Sequence, residues 1–262
     1  MPAVQVPGAA AATALGRTLV LAPHPDDETI GCGGLLALLM EAGADVRVVL
    51  LSDGAASHPR SQSHPPALLR ALRRQEMTAA LQELGCVAEQ LLGLGLPDGA
   101  VPAPGAPGYS AAFHRLDGIT RAFRPDSVVM PSCDDAHPDH RASHALGLAA
   151  MRHSARRARR LEYLVWPAPA DRAQPANGRA HAAVWQVDIA RVAGHKRRAL
   201  AQHRSQLGQV VFDDPAGFTL PAALIAACEQ PFETYHCFSP EDNHGRDART
   251  SRSAELAAGL LR

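Results

Sequence analysis

The 262-residue sequence is poor in aromatics, which make up 4% of it and argue against a carbohydrate platform built from stacked Trp and Tyr. It also lacks excess charge. Lys+Arg and Asp+Glu are both 26, so no global field favours nucleic acid or an anionic membrane, and only a local basic patch is left open. Five cysteines (Cys32, Cys86, Cys133, Cys228, Cys237) are an odd number without CxxC spacing, which excludes a disulfide framework and a cysteine zinc knuckle. Reduced thiols and a cytoplasmic location are expected. No run approaches the roughly 18 apolar residues of a bilayer span, so no integral membrane segment is expected. The start, MPAVQVPGAAAATALG, has no Lys or Arg before Arg17 and contains two prolines. It is a poor signal peptide, and residues 1–17 are expected to form a flexible tail.

What the sequence does have is apolar content, 46%, arranged in alternating strand-like and helix-like segments. Strands are expected at 18–22, 45–54, 90–99, 126–132, 161–167 and 181–189, with helices at 33–44, 66–85, 110–123 and 137–153. Continuous apolar strands joined by helices mean a mostly parallel sheet covered on both faces, a Rossmann-like three-layer α/β sandwich. One domain over 18–240 is expected, with loops at 168–180 and 239–253 and a C-terminal extension over 241–262. The run RHSARRARR (152–160) has five arginines and no acid. It reads as a solvated helix end, with an anionic substrate or membrane surface as the alternative.

PHPDDETIGCGG (23–34) follows the first strand and divides between two readings. A dinucleotide loop would place G-x-G-x-x-G directly after the strand. Here eight residues separate Ala22 from Gly31, three of them acids that would repel phosphate. Neutral imidazole and carboxylate instead suit zinc and its neighbours. His24 and Asp27 can converge on one ion across a turn, leaving Asp26 free to act as a base. HPDH (137–140) ends the fourth strand, which adjoins the first if the order is 3-2-1-4-5, and ligands bind where strand order reverses. The plain alternative is a pair of turns, each Asp capping a helix. His140 and His144 also share a helix face and could supply two ligands.

These residues resemble the LmbE-like, or PIG-L, family of zinc-dependent N-deacetylases. The likeness rests on PHPDDE (23–28), Ser52-Asp53-Gly54, Arg73 and Glu76 before Leu84-Gly85, LPDG (96–99) and HPDH. Lys196, Ala199, His203, Ser205 and Gln206 continue it, so that it runs from about Thr18 to Phe238. The resemblance implies one zinc ion per chain held by His24, Asp27 and His140, with Asp26 as general base. His137 would stabilise the oxyanion or protonate the leaving amine, and Asp139 would orient a histidine. Arg73 and Asp98 would hold sugar hydroxyls, His203 and Gln206 would be structural, and Glu28 would support the site. His144 would not ligate. Relatives commonly place a tyrosine or similar donor just before HPDH, where this chain has Asp134-Asp135-Ala136. The implied reaction is hydrolysis of the acetamide of an N-acetylated amino sugar or glycoconjugate by a metal-activated water, with no Ser or Cys nucleophile. The competing readings are a non-catalytic sugar- or metal-binding module on the same fold and a nucleotide-dependent oxidoreductase.

Overall fold

The computed structural model describes residues 3–167 and 182–244. Along the chain come β1 (Val4–Val6), α1 (Gly8–Leu15), β2 (Thr18–Ala22), α2 (Asp27–Glu41), β3 (Val46–Ser52), α3 (Pro66–Glu83) and β4 (Leu91–Leu96). They are followed by α4 (Tyr109–Phe123), β5 (Ser127–Pro131), α5 (Pro138–Ser154), β6 (Arg159–Tyr163), β7 (Ala183–Asp188), α6 (Ala193–Gln202), α7 (Ala222–Cys228) and β8 (Phe232–Phe238). The strands form one sheet in the order β1-β7-β8-β6-β5-β2-β3-β4. All pairs are parallel except those of β8, which runs antiparallel to both β6 and β7. The five strands β4-β3-β2-β5-β6 follow the expected 3-2-1-4-5 order.

Every residue of β2 is buried, as a central strand covered on both faces requires. Its side chains alternate between two cores. Leu19 and Leu21 join Leu116 of α4 and Leu146 of α5, while Val20 and Ala22 join Leu36 of α2, Met77 of α3 and Leu200 of α6. Helices therefore lie on both faces. Connections leave β2 and β5 in opposite directions, so the crevice beyond their carboxyl ends is the switch point where such sheets bind ligands. Both histidine–aspartate loops leave from there.

Four expectations need correction. Residues 1–17 are not a flexible tail: Val4–Val6 pairs with Trp185–Val187 at the sheet edge, and α1 buries Ala11, Ala12 and Leu15. The alanine-rich run favours helix, and Pro7 stands between strand and helix, where its missing N–H costs nothing. The arginine run is not one helix end either. The helix stops at Ser154, and Arg159 and Arg160 open β6. Arg160 is buried, 3.1 Å from Glu162 and over the Phe238 ring, so the run is no continuous basic surface. The fifth strand ends at Tyr163, and residues 164–167 bend away from it. Finally, β8 was missed because its inward face carries Glu233 beside Tyr235 and Cys237. The 168–180 loop and residues 245–262 of the C-terminal extension lie outside the described residues. Pro240–His244 forms a short 3-10 turn. All five cysteines are free. Among the described residues, no helix is long and apolar enough to cross a membrane.

Candidate functional site

The loop after β2 is held in a conformation that its sequence resists. Asp26 has φ +140°, a region that costs a non-glycine residue about 1–3 kcal/mol unless its surroundings impose it. Two groups impose it here. The Asp26 N–H donates to Glu28 Oε2 at 3.1 Å. From the other side, Arg73 donates to Pro25 O (2.9 Å), Gly54 O (3.0 Å) and Asp26 Oδ2 (3.1 Å). Glu28 in turn accepts from Thr29 Oγ1 at 2.8 Å and faces His203 Nε2 at 3.4 Å. Arg73, not Arg74, is the buried member of the pair. The glycines of GCGG serve packing: a Cβ on Gly31 would stand 2.2 Å from the Tyr163 ring.

Beyond this turn, three donor atoms converge. Asp27 Oδ2 lies 3.1 Å from His24 Nδ1 and 3.1 Å from His140 Nε2, and the two nitrogens are 3.3 Å apart. Ligand bonds of about 2.0–2.1 Å in a tetrahedral zinc site put ligand atoms roughly 3.3–3.4 Å apart. The triangle is therefore of the right size for such an ion. Behind it, His24 Nε2 is 3.2 Å from both Asp139 and Asp98, and His140 Nδ1 is 3.0 Å from Asp135. That last contact is close but lacks hydrogen-bond alignment. Carboxylates behind ligating imidazoles fix the ring and raise its basicity. Two wider groups, His24–His137–His140 and His24–Asp98–Asp139, also have donor atoms within 4.8 Å of one another. The Asp27 triangle is tighter and uses the nitrogens that the supporting acids leave free.

The buried donors strongly shift one another's protonation. Burial opposes charge on His24, but Asp139, Asp27 and Asp98 outweigh it and raise its pKa well above the usual histidine range. For His140, Asp27 and Asp135 outweigh burial and lift the value to about 9. Burial disfavours the Asp27 carboxylate, yet both histidines hold it far below the usual range. Asp26 behaves differently. Burial pushes it up to about 6, with Arg73 as the main opposing charge.

HPDH opens α5, whose N-terminal cap is His137. Its Nδ1 accepts the Asp139 N–H at 3.2 Å, so the proton of the neutral ring sits on Nε2. Burial, with His24 and His140 nearby, lowers its pKa and favours that neutral form. The Asp139 carboxylate accepts from Gly99 N (2.8 Å) and Val101 N (3.1 Å), binding the LPDG loop to the HPDH loop. Asp98 Oδ2 accepts from Ala56 N and lies 3.7 Å from Arg73.

A cavity of about 660 Å³ opens over these groups, lined by His24, Asp26, Asp27, Arg73, Asp98 and His137. Asp139 and His140 stand behind that lining. All eight residues named from sequence thus meet at one place. His144 stays apart, buried against Pro131 O at 3.2 Å. The later motif supports the site from below. Ser205 donates to Glu76 through both N–H and Oγ, and Lys196 pairs with Glu233 at 2.6 Å. Asp135 was missed by sequence reasoning. Its partners include the Val165 and Trp166 N–H groups, and nothing local announces that the segment just beyond β6 lies alongside. Cys32 is fully buried with its thiol pKa pushed well up, so it offers no nucleophile.

The PIG-L family model, described as GlcNAc-PI de-N-acetylase, matches residues 19–151. A 1D-myo-inositol 2-acetamido-2-deoxy-alpha-D-glucopyranoside deacetylase of Mycobacterium sp. (strain KMS) is 34% identical over 155 residues, 52% of this chain and 50% of that protein. A diacetylchitobiose deacetylase of Thermococcus kodakarensis is 31% identical over 140 residues, 52% of this chain and 49% of that one. The chain therefore spans about half the length of the curated relatives it matches. Among solved structures, N,N'-diacetylchitobiose deacetylase from Pyrococcus horikoshii superposes with a TM-score of 0.66 at 21% identity, covering 90% of this chain and 88% of its own. That likeness speaks for the fold alone.

Proposed function

The chain belongs to the PIG-L family, and on that premise we propose that it is a metal-dependent hydrolase removing acetyl from an N-acetylated amino sugar or its conjugate. One observation carries the reading. Two loops from adjacent strand ends bring two imidazoles and a carboxylate to mutual distances of 3.1–3.3 Å, while a further carboxylate, Asp26, faces the cavity outside that triangle. Such a donor set suits zinc. His24, Asp27 and His140 would hold one ion, which when bound polarises an acyl oxygen and acidifies water.

The chain's own groups supply the rest. Asp26 takes the proton of the attacking water. Its fitness for this comes from opposing effects: burial makes the carboxylate basic, and Arg73 keeps it oriented. His137 offers its Nε2–H as a hydrogen bond to the developing oxyanion, and the proton that Asp26 took from water passes to the leaving amine. Asp139 and Asp135 hold His24 and His140 in place from behind. Asp98, with Arg73 beside it, meets sugar hydroxyls at the cavity wall. Water adds to the acyl carbon, the C–N bond breaks, and acetate and a free amine leave.

The test is a panel of N-acetylated amino sugars offered to zinc-loaded protein. Equal yields of acetate and primary amine, with one ion per chain, are expected. Metal binding without amine release from any member of the panel would overturn the reading.

A further inference from the structure

One wall of the cavity is unlike the rest. His24, Asp26, Arg73 and Asp98 give the cavity a polar lining, but Trp166, Pro167, Phe218 and Leu220 add an apolar one. Trp166 and Phe218 meet edge to face, with ring centroids 5.8 Å apart. The chain has only two Trp and six Phe, yet it places one of each here and leaves Phe218 38% exposed. All four wall residues lie outside the 19–151 segment that matches the family model.

The wall is built rigidly. Phe218 N–H donates to Ser57 O at 2.7 Å, and Leu220 N–H to Gln206 O at 2.8 Å. The loop before them is latched by Asp213, which accepts from Ser61 Oγ and from Gln62 and Ser63 N–H at 2.7–2.8 Å. Gly217 lets the loop close onto His58, since a Cβ there would stand 2.1 Å from the imidazole. A fixed aromatic pair left open beside a polar centre is a prepaid surface for an apolar group. A second sugar ring could stack its apolar face here but, apart from the indole N–H, would find no side-chain donor or acceptor on this wall for its hydroxyls, which an apolar group does not need.

We propose that Trp166, Pro167, Phe218 and Leu220 form a subsite for an apolar substituent of the substrate, either an aryl or alkyl aglycone or an elongated N-acyl chain on the amino sugar. The inference rests on the deacetylase reading for the chemistry, but not for the binding.

The experiment compares amine release from N-acetylglucosamine, N,N'-diacetylchitobiose, phenyl N-acetyl-β-glucosaminide and N-octanoylglucosamine. Burying half or more of an aromatic side chain predicts about a tenfold gain in kcat/KM or more for an apolar substrate over diacetylchitobiose. A gain confined to the phenyl glycoside identifies the aglycone as the occupant, and one confined to the octanoyl amide identifies the acyl chain. In Phe218→Ala the preference ratio should fall to near one. Equal kcat/KM across the panel, or an undiminished ratio in Phe218→Ala, would overturn the subsite. Binding is read separately from tryptophan emission, because Trp185 is buried and Trp166 is the tryptophan in the cavity wall. Phenyl β-glucoside, which has no amide, should shift that emission saturably in the wild type and not in Phe218→Ala. If no substrate releases amine, the deacetylase reading fails and the emission shift alone decides the subsite: its presence supports it, its absence refutes it.

Discussion

Glu28 shows how much a single residue outside the donor set contributes. The resemblance gave it only an unspecified supporting role, and the structure makes that specific: its carboxylate receives the N–H of Asp26 and so helps hold φ +140°. Glu28→Ala should lower kcat about tenfold or more while leaving KM and metal content near wild type. Glu28→Gln keeps an acceptor oxygen and should recover most of the loss. Equal losses in both variants, with metal also lost, would mean that Glu28 only supports folding. Asp135 is the parallel case on the other loop. Removing the carboxylate behind a ligating imidazole weakens metal binding roughly 10–100-fold. Asp135→Ala should show that change in a zinc-chelator competition, and unchanged affinity would exclude the role. His24, Asp26 and Asp27 stood out in sequence because their types and spacing suit a metal site, whereas the choice of His140 over His144 came from the family resemblance and not from spacing. Asp135 did not stand out, because its placement depends on the backbone N–H groups of Val165 and Trp166, just beyond β6.

At the scale of elements, the donor triangle depends on where α2 starts and bends. The helix begins at Asp27 and breaks at Cys32, with φ −150°. Glu233 of β8 caps the second segment, accepting from Gly34 N and Leu35 N at 2.8 Å while paired with Lys196. Removing one member of a buried pair costs about 3–5 kcal/mol, since the other charge is left stranded. Glu233→Ala should lose that much stability in denaturant titration, and a loss below about 1 kcal/mol would show that the cap is not needed. The central strands were readable because burial on both faces makes them continuously apolar. β8 and β1 were not. An inward glutamate breaks the hydropathy of the first, and three residues between prolines conceal the second. The arginine run misled because Arg160 turns inward from β6, where Glu162 two residues on pairs with it and the Phe238 ring of β8 covers it.

At the scale of the whole molecule, the proposed ion joins the loops of two strands on either side of the switch point, so binding it should couple to both protonation and stability. In the metal-free protein His140, raised to about 9, holds a proton at pH 7. Ligation needs the neutral ring, so uptake must release protons, and affinity should rise with pH toward about 9 and weaken as pH falls. Calorimetric titration of apo protein with zinc in two buffers of different ionisation enthalpy should give different apparent heats. Identical heats would contradict protonated ligands. Chelation should lower the melting temperature, because an ion bound only by the folded state stabilises it.

The central claim is a division of labour between neighbouring carboxylates, Asp27 holding the ion and Asp26 moving the proton. Turnover and metal content of Asp26→Asn, measured on the same zinc-loaded preparation, test it most directly. The account predicts one ion per chain retained and kcat reduced about 10²–10⁴-fold, the range of general base catalysis. Near-normal turnover in that variant, with its metal intact, would contradict it.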